Sequence, residues 1–218
     1  MTDHSPDWQD ALEPEPPSAA TVFGDRLPIV RQFTEHLARH GEELGLIGPL
    51  ELPRLWSRHV VNSGLVAPLL RPGRVGDVGS GAGLPGLVLA IARPDVHLTL
   101  IEPMERRVAW LNRQVDELGL ENVDVVRARA EEAKLAGRLD QVTARAVSAL
   151  RTLIPITAPL LAPGGELLLM KGAGVTGEMG AAEKAIRKFK LQDVDVVVLG
   201  EGVVDDVTRV FRARVPAA

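Results

Sequence analysis

Arg74-Val75-Gly76-Asp77-Val78-Gly79-Ser80-Gly81-Ala82-Gly83-Leu84-Pro85-Gly86 decides how the rest of this chain is read. A short apolar run meets a dense cluster of glycines, and the apolar stretch 87–92 follows at once. That order predicts strand, tight turn, helix. Glycine lets a backbone turn with positive φ and approach a ligand with no Cβ in the way. The helix start beyond it offers N–H groups with no partner inside the helix. Further on, the run Val96-His97-Leu98-Thr99-Leu100-Ile101 ends at Glu102. In an α/β fold, an acidic side chain at that strand tip is where a nucleoside presents its ribose hydroxyls.

Two cofactor classes share this layout. Gly81, Gly83 and Gly86 fit G-x-G-x-x-G, which allows a dinucleotide site and an NAD(P)-dependent oxidoreductase. Asp77, Gly79, Gly81 and Gly83 fit Asp-x-Gly-x-Gly-x-Gly, the signature of an S-adenosylmethionine pocket, and that register begins directly after the strand. A pyrophosphate wants aligned N–H donors and no carboxylate nearby, whereas an ammonium is attracted by one. Asp77 therefore favours the methyl donor, although its side chain could instead cap the turn.

Composition narrows the field. The 218 residues suffice for one domain with a substantial core. There are no cysteines, which excludes disulfides, thiolate zinc sites and a cysteine nucleophile, and agrees with a cytoplasmic location. The five histidines show no metal-ligand spacing, so no catalytic metal is expected. No apolar run approaches bilayer length and no basic-then-apolar leader opens the sequence, so no membrane partner is expected. The net charge of −4 means that any nucleic-acid contact must come from a local basic patch.

Along the chain, residues 1–20 carry acids, prolines and small residues with little periodicity and are expected to form a disordered tail. Residues 21–73 read as a helical cap. Leu27, Val30, Phe33 and Leu37 fall at helical spacing with Asp25 as N-cap, a polar break follows at 41–48, and 50–70 reads as two short helices. Residues 74–218 alternate strands with helices, the pattern of a parallel sheet covered on both faces. Strands are expected at 75–78, 96–101, 123–128, 141–147, 166–170, 194–199 and 207–215. Helices are expected at 104–118, ending at Gly119, and near 150–161 and 178–189. The joint 200–206 is too short for a helical crossover, so the last strand runs antiparallel to its neighbour. The fold class expected is a class I S-adenosylmethionine-dependent methyltransferase. It is Rossmann-like, with a mostly parallel seven-stranded sheet, an antiparallel last strand and an N-terminal cap.

With these pieces in order, the chain closely resembles the glucose-inhibited division protein B family, methyltransferases that modify guanine N7 in bacterial small-subunit ribosomal RNA. The resemblance rests on Arg58-His59-Val60-Val61-Asn62-Ser63, the stretch 77–86 with Leu84-Pro85-Gly86, and Arg93-Pro94. It continues through Glu102-Pro103 with Arg106-Arg107-Val108, Arg129-Ala130-Glu131-Glu132, Ala144-Arg145-Ala146 and Lys171-Gly172. Together these span about residues 23–215 collinearly. The family often has Asp where Asn62 stands and Ser where Ala144 stands, and it replaces the stretch 45–48 with Asn-Leu-Thr.

The resemblance implies S-adenosylmethionine as cofactor and small-subunit ribosomal RNA, or a ribosomal subunit, as partner; a monomer is expected. It implies that Arg145 lies at the active site, touching cofactor or target, and that Leu84 contacts the cofactor from its loop. Ala130 and Glu131, after the third strand, would read the adenine ring. Guanine N7 has a lone pair and no proton to lose, so the chemistry needs alignment and no general base. Accordingly the chain lacks the Asn- or Asp-Pro-Pro-aromatic tetrad used on exocyclic amines. Lys171, Arg58, His59 and Arg209 are candidate substrate contacts, and Arg31, Arg54 and Arg212 could complete a basic rim. Trp56 and Trp110 read as packing residues. Two other readings stand beside this one: the same chemistry on another substrate, and a catalytically silent RNA-binding protein.

Overall fold

Apolar, β-branched segments alternate with amphipathic ones from Gly73 onward, and each segment finds a partner on which to bury its apolar face. The computed structural model describes residues 8–48 and 50–217. Its strands are β1 (Gly73–Val78), β2 (Val96–Ile101), β3 (Val123–Val126), β4 (Leu139–Arg145), β5 (Leu161–Lys171), β6 (Gln192–Leu199) and β7 (Thr208–Arg214). Among the described residues they form one seven-stranded sheet in the order β3-β2-β1-β4-β5-β7-β6. β1 pairs in parallel with β2 and β4, and β7 lies antiparallel between β5 and β6. The strand order reverses at β1 and β4, and open α/β sheets form their ligand crevice at the carboxyl ends of such a pair.

The helices of the sheet region are α5 (Gly86–Ala92), α6 (Glu105–Leu118), α7 (Leu150–Thr157) and α8 (Val175–Lys188), and α1 (Trp8–Ala11), α2 (Pro17–Phe23), α3 (Leu27–His40) and α4 (Asn62–Gly64) precede them. α6 ends at Gly119 in the left-handed conformation (φ 62°), where glycine carries no Cβ penalty. One sheet face is covered by α5, α6 and the cap, the other by α7 and α8. β1 and β2 are buried along most of their length, as strands sandwiched between two helical layers must be.

Several expectations need correction. Residues 8–20 are ordered rather than tail-like: α1 (Trp8–Ala11) and α2 (Pro17–Phe23) pack on the cap, with Ala19 and Phe23 buried. The Glu13 N–H donates to Leu52 O (3.0 Å), its carboxylate accepts the Ser57 N–H (2.8 Å), and Glu15 holds Arg31 in a two-pronged pair. These partners lie far away in sequence, so no local periodicity announces them. Residues 1–7 of the expected tail lie outside the described residues. Asp25 does not cap a helix. It sits in a 3₁₀ turn, Gly24–Arg26, and Pro28 stands second in α3 (Leu27–His40), the fixed φ of proline suiting a first turn. The α3 face Leu27, Val30, Phe33, Leu37 is buried as its spacing implies.

The stretch 50–70 is not two helices but one continuously wound segment. A 3₁₀ turn (Leu52–Arg54) is followed by π-helical turns (Leu55–Val61), then α4 (Asn62–Gly64), then another 3₁₀ turn (Ala67–Leu69). π turns are rare and cluster at functional sites, and these carry Arg58 and His59. The end of the cap is fastened to the sheet. Arg93 Nη1 donates to Ala67 O (2.8 Å) and Leu70 O (2.6 Å), while the Gln141 carboxamide accepts the Arg71 N–H (2.7 Å) and donates to Leu69 O (3.0 Å). We propose that cap (21–73) and core (74–218) are one unit.

Candidate active site

The glycine stretch leaves β1 as a loop whose shape is set by main-chain bonds. The Gly79 N–H donates to Ile101 O (2.9 Å) and the Gly83 N–H to Ser80 O (2.7 Å). Gly79, Gly81 and Gly83 have φ of 71°, 54° and 95°, a region where L residues are strained. At Gly79 and Gly83 a Cβ would collide with Val147 and Leu87. At Gly81 its nearest neighbour would be Gly79 O at 3.7 Å, so that position opens onto free space. Trp110, buried on α6, donates its indole N–H to Ala82 O (3.0 Å) and pins the loop from outside. Trp110 packs as its type predicts, but its hold on the loop had no local signal, since Ala82 lies 28 residues away.

Glu102 stands at the tip of β2 with 2% exposure. One carboxylate oxygen accepts the Gly81 N–H (3.0 Å), the other the Met104 N–H (2.9 Å). A carboxylate offers about four acceptor sites, so two remain for a ligand. Asp77 is fully buried. Its Oδ2 accepts the Gly86 N–H (3.1 Å) at the start of α5, which is the turn-capping role foreseen as a competitor, while Oδ1 is buried with no partner. Burial pushes the Asp77 carboxyl up to about 7. An orphaned, anion-capable oxygen beside an open backbone cradle fits the ammonium of the methionine moiety, with Glu102 opposite for the ribose. The residues therefore fit S-adenosylmethionine and oppose a pyrophosphate. Leu84 is half-buried against the core in the same loop, Ala130 is buried in a 3₁₀ turn (Ala130–Glu132) beyond β3, and Glu131 is exposed.

Arg145 closes β4 and turns into the cap. Its Nη1 donates to His59 O and Ser63 Oγ (3.3 Å each), and its Nη2 meets His59 Nδ1. His59 Nε2 in turn contacts a Glu51 carboxylate oxygen, and Glu51 also grips Arg54 in a fork. Burial, with Arg58 nearby, lowers the Arg145 pKa to about 10. Burial and the neighbouring Arg145 push the His59 imidazole below its usual value, which leaves it neutral at pH 7. Burial alone would raise the Glu51 carboxyl, but its bonds to His59 and Arg54 hold it below the carboxylate norm.

Arg145 and His59 line a cleft of about 520 Å³ together with Arg58, Asn62, Thr208 and Arg209. Arg58 and Arg209 have no ion-pair partner among the described residues and face this cleft. The other candidate cations are engaged elsewhere. Lys171 Nζ donates to Ser148 O and pairs with Glu178 (2.9 Å each), tying β5 to α8, although it lines the same cleft. Arg31 pairs with Glu15, Arg54 with Glu51, and Arg212 with the fully buried Glu166 (2.6 Å). The rim is thus smaller than its count of basic residues implied. Glu51 and Ser63 were missed as site residues; their only signal was nearness to the Arg58-His59 motif.

The strand order, the open glycine bend and the paired carboxylates at the tips of β1 and β2 define a class I S-adenosylmethionine-dependent methyltransferase. The family model described as rRNA small subunit methyltransferase G, GidB, matches residues 26–207. A ribosomal RNA small subunit methyltransferase G from Leifsonia xyli is 72% identical over 94% of this chain and 99% of its own, and one from Clavibacter michiganensis is 68% identical over 94% and 97%. The chain belongs to the rRNA small subunit methyltransferase G family. Likeness of fold extends to the tRNA (m1A58) methyltransferase TrmI of Aquifex aeolicus (TM-score 0.55, 14% identity, 72% of this chain and 68% of that one). It also extends to N-methyltransferase NodS of Bradyrhizobium japonicum in complex with S-adenosyl-L-homocysteine (TM-score 0.52, 21% identity, 84% and 98%).

Proposed function

We propose that the protein methylates N7 of a guanine in small-subunit ribosomal RNA, with S-adenosylmethionine as donor. The observation that carries this reading is the glycine bend at the end of β1, open at Gly81 and flanked by Asp77 and Glu102, with Arg145, close enough to Asp77 to feel its charge, lining the cleft beneath the cap. The bound cofactor supplies an electrophilic methyl on a positively charged sulfur. With it bound, the N7 lone pair would form the new C–N bond as the sulfur–methyl bond broke, its electron pair staying on sulfur and the positive charge passing to the purine.

No proton leaves the nucleophile, and alignment is the protein's main contribution. We assign Asp77 and Glu102 to the cofactor's cationic and ribose ends, with Gly79, Gly81, Gly83 and Leu84 as its cradle. Ala130 and Glu131 lie at its base, and Arg58 and Arg209 at the RNA, with His59 beside Arg145. Lys171 supports the same wall through Glu178. We take the enzyme as a monomer acting in the cytoplasm on ribosomal subunits or their RNA.

The test is to map methylated guanines in small-subunit RNA from cells with and without this protein. One N7-methylguanine present only with it is expected; identical maps would refute the assignment.

The buried carboxyl also predicts a pH dependence. The folded protein holds the Asp77 proton more tightly than the unfolded chain does, so this group subtracts stability as pH rises toward about 7. Binding of a cation favours the ionised form, so cofactor affinity should strengthen as pH rises through about 7. Asp77→Asn is expected to melt above wild type at pH 8 and to bind S-adenosylmethionine weakly at every pH. Calorimetry at pH 6 and 8 showing a flat wild-type affinity would remove Asp77 from the ammonium site.

A further inference from the structure

Arg145 can only donate hydrogen bonds, because a guanidinium has no acceptor. The His59 nitrogen that meets it, Nδ1, must therefore carry its lone pair inward, and the ring proton sits on Nε2, which donates to Glu51. The imidazole has one arrangement that satisfies both neighbours: neutral, with Nε2 protonated. We propose that His59 is a positioning residue, a neutral tether holding Arg145 against the cap, and that protonation of its ring releases Arg145 and switches methyl transfer off. This rests on the reading that Arg145 works at the methyl-transfer site.

The tether accounts for a charge problem. Methyl transfer delivers positive charge to the purine, and a free guanidinium beside that purine would oppose it. Docked on His59 and Ser63, Arg145 is drawn into the cap, and Glu51 supplies the balancing negative charge one ring away. Protonating Nδ1 would set an imidazolium N–H against the guanidinium, two donors and two cations in contact.

The groups facing the ring decide whether it can titrate in a useful range. Arg58 on its own segment and Arg145 from β4 both disfavour the imidazolium, as does burial, while Glu51 favours it. Arg54 occupies the same carboxylate and dilutes that help. Asp77 lies behind Arg145, close enough to act on its charge. Across the cleft stand Lys171, Asp206 and Arg209. The balance keeps the ring neutral at pH 7 and places its protonation on the acid side of an ordinary histidine.

The experiment is a pH profile of single-turnover methylation of small ribosomal subunits lacking the modification, between pH 5 and 8, with S-adenosylmethionine saturating so that Asp77 titration does not limit binding. Wild type should lose rate only on the acid side of the ordinary histidine range. In His59→Asn the side-chain oxygen still accepts from Arg145 but cannot titrate. It should keep rate within about tenfold of wild type at pH 7.5 and lose the acid limb, whereas His59→Ala should fall roughly 10- to 100-fold, as expected for one hydrogen bond to a charged group. Independently of turnover, ¹⁵N NMR should show the His59 Nδ1 unprotonated at pH 7.5, its signal identified by its loss in His59→Asn. An acid limb unchanged in His59→Asn, or an Nδ1–H tautomer, overturns the tether. Wild-type enzyme that labels no small-subunit RNA at any pH overturns the functional reading instead.

Discussion

Gly81→Asp is expected to abolish S-adenosylmethionine binding while the protein remains folded. The backbone at Gly81 lies at φ 54° with nothing closer than 3.7 Å to the site of a new Cβ, so the added carboxylate projects into the crevice and not into the core. Left-handed backbone costs an L residue about 1 kcal/mol, and Asp bears it better than most. For a chain of this size that lowers the melting temperature by roughly 2–4 °C. The ligand site suffers far more, since the new side chain fills the methionine path and its charge faces Glu102, which already accepts the Gly81 N–H. Calorimetric titration should register no binding where wild type binds. Affinity kept within tenfold of wild type would refute the placement of the cofactor along this loop.

Arg145→Ala is expected to lower turnover at saturating cofactor by about 10²- to 10³-fold, the range seen when one preorganised charged donor is taken from an active site. Lysine should not restore it. Arg145 makes three contacts through two nitrogens of a rigid fork, to His59 O, Ser63 Oγ and His59 Nδ1, and a single ammonium cannot span them. Circular dichroism should confirm that the variant folds. Turnover equal to wild type would remove Arg145 from the site.

What the residues announce, and what they conceal, divides along sequence distance. The loop 77–86 was legible because glycine, acid and strand end lie within ten positions and each has a local meaning. The antiparallel final strand followed from the length of one joint, and the C-cap at Gly119 from one residue type. Glu102 was placed correctly at its strand tip, but its bonds to the Gly81 and Met104 amides depend on how the loop folds back over it.

Lys171 read as a free cation because Glu178 begins to matter only when α8 folds against β5. Arg212 was assigned to the rim because Glu166, buried on the neighbouring strand, lies 46 positions away. The widened π turns at 55–61 have no propensity signature of their own; Glu13, from a segment expected to be disordered, accepts the Ser57 N–H within them. Each of these misses is a charged or polar side chain whose partner is supplied by tertiary structure.

The Arg93 and Gln141 fasteners bear on any attempt to trade parts between relatives. Both side chains belong to the sheet region, yet the carbonyls they hold, at Ala67, Leu69 and Leu70, are main-chain atoms of the other piece. A chimaera that keeps the buried apolar face of the transplanted front segment can therefore be held at its main chain, provided the recipient supplies these two clasps. A recipient that lacks them would accept the graft in sequence and shed it in solution.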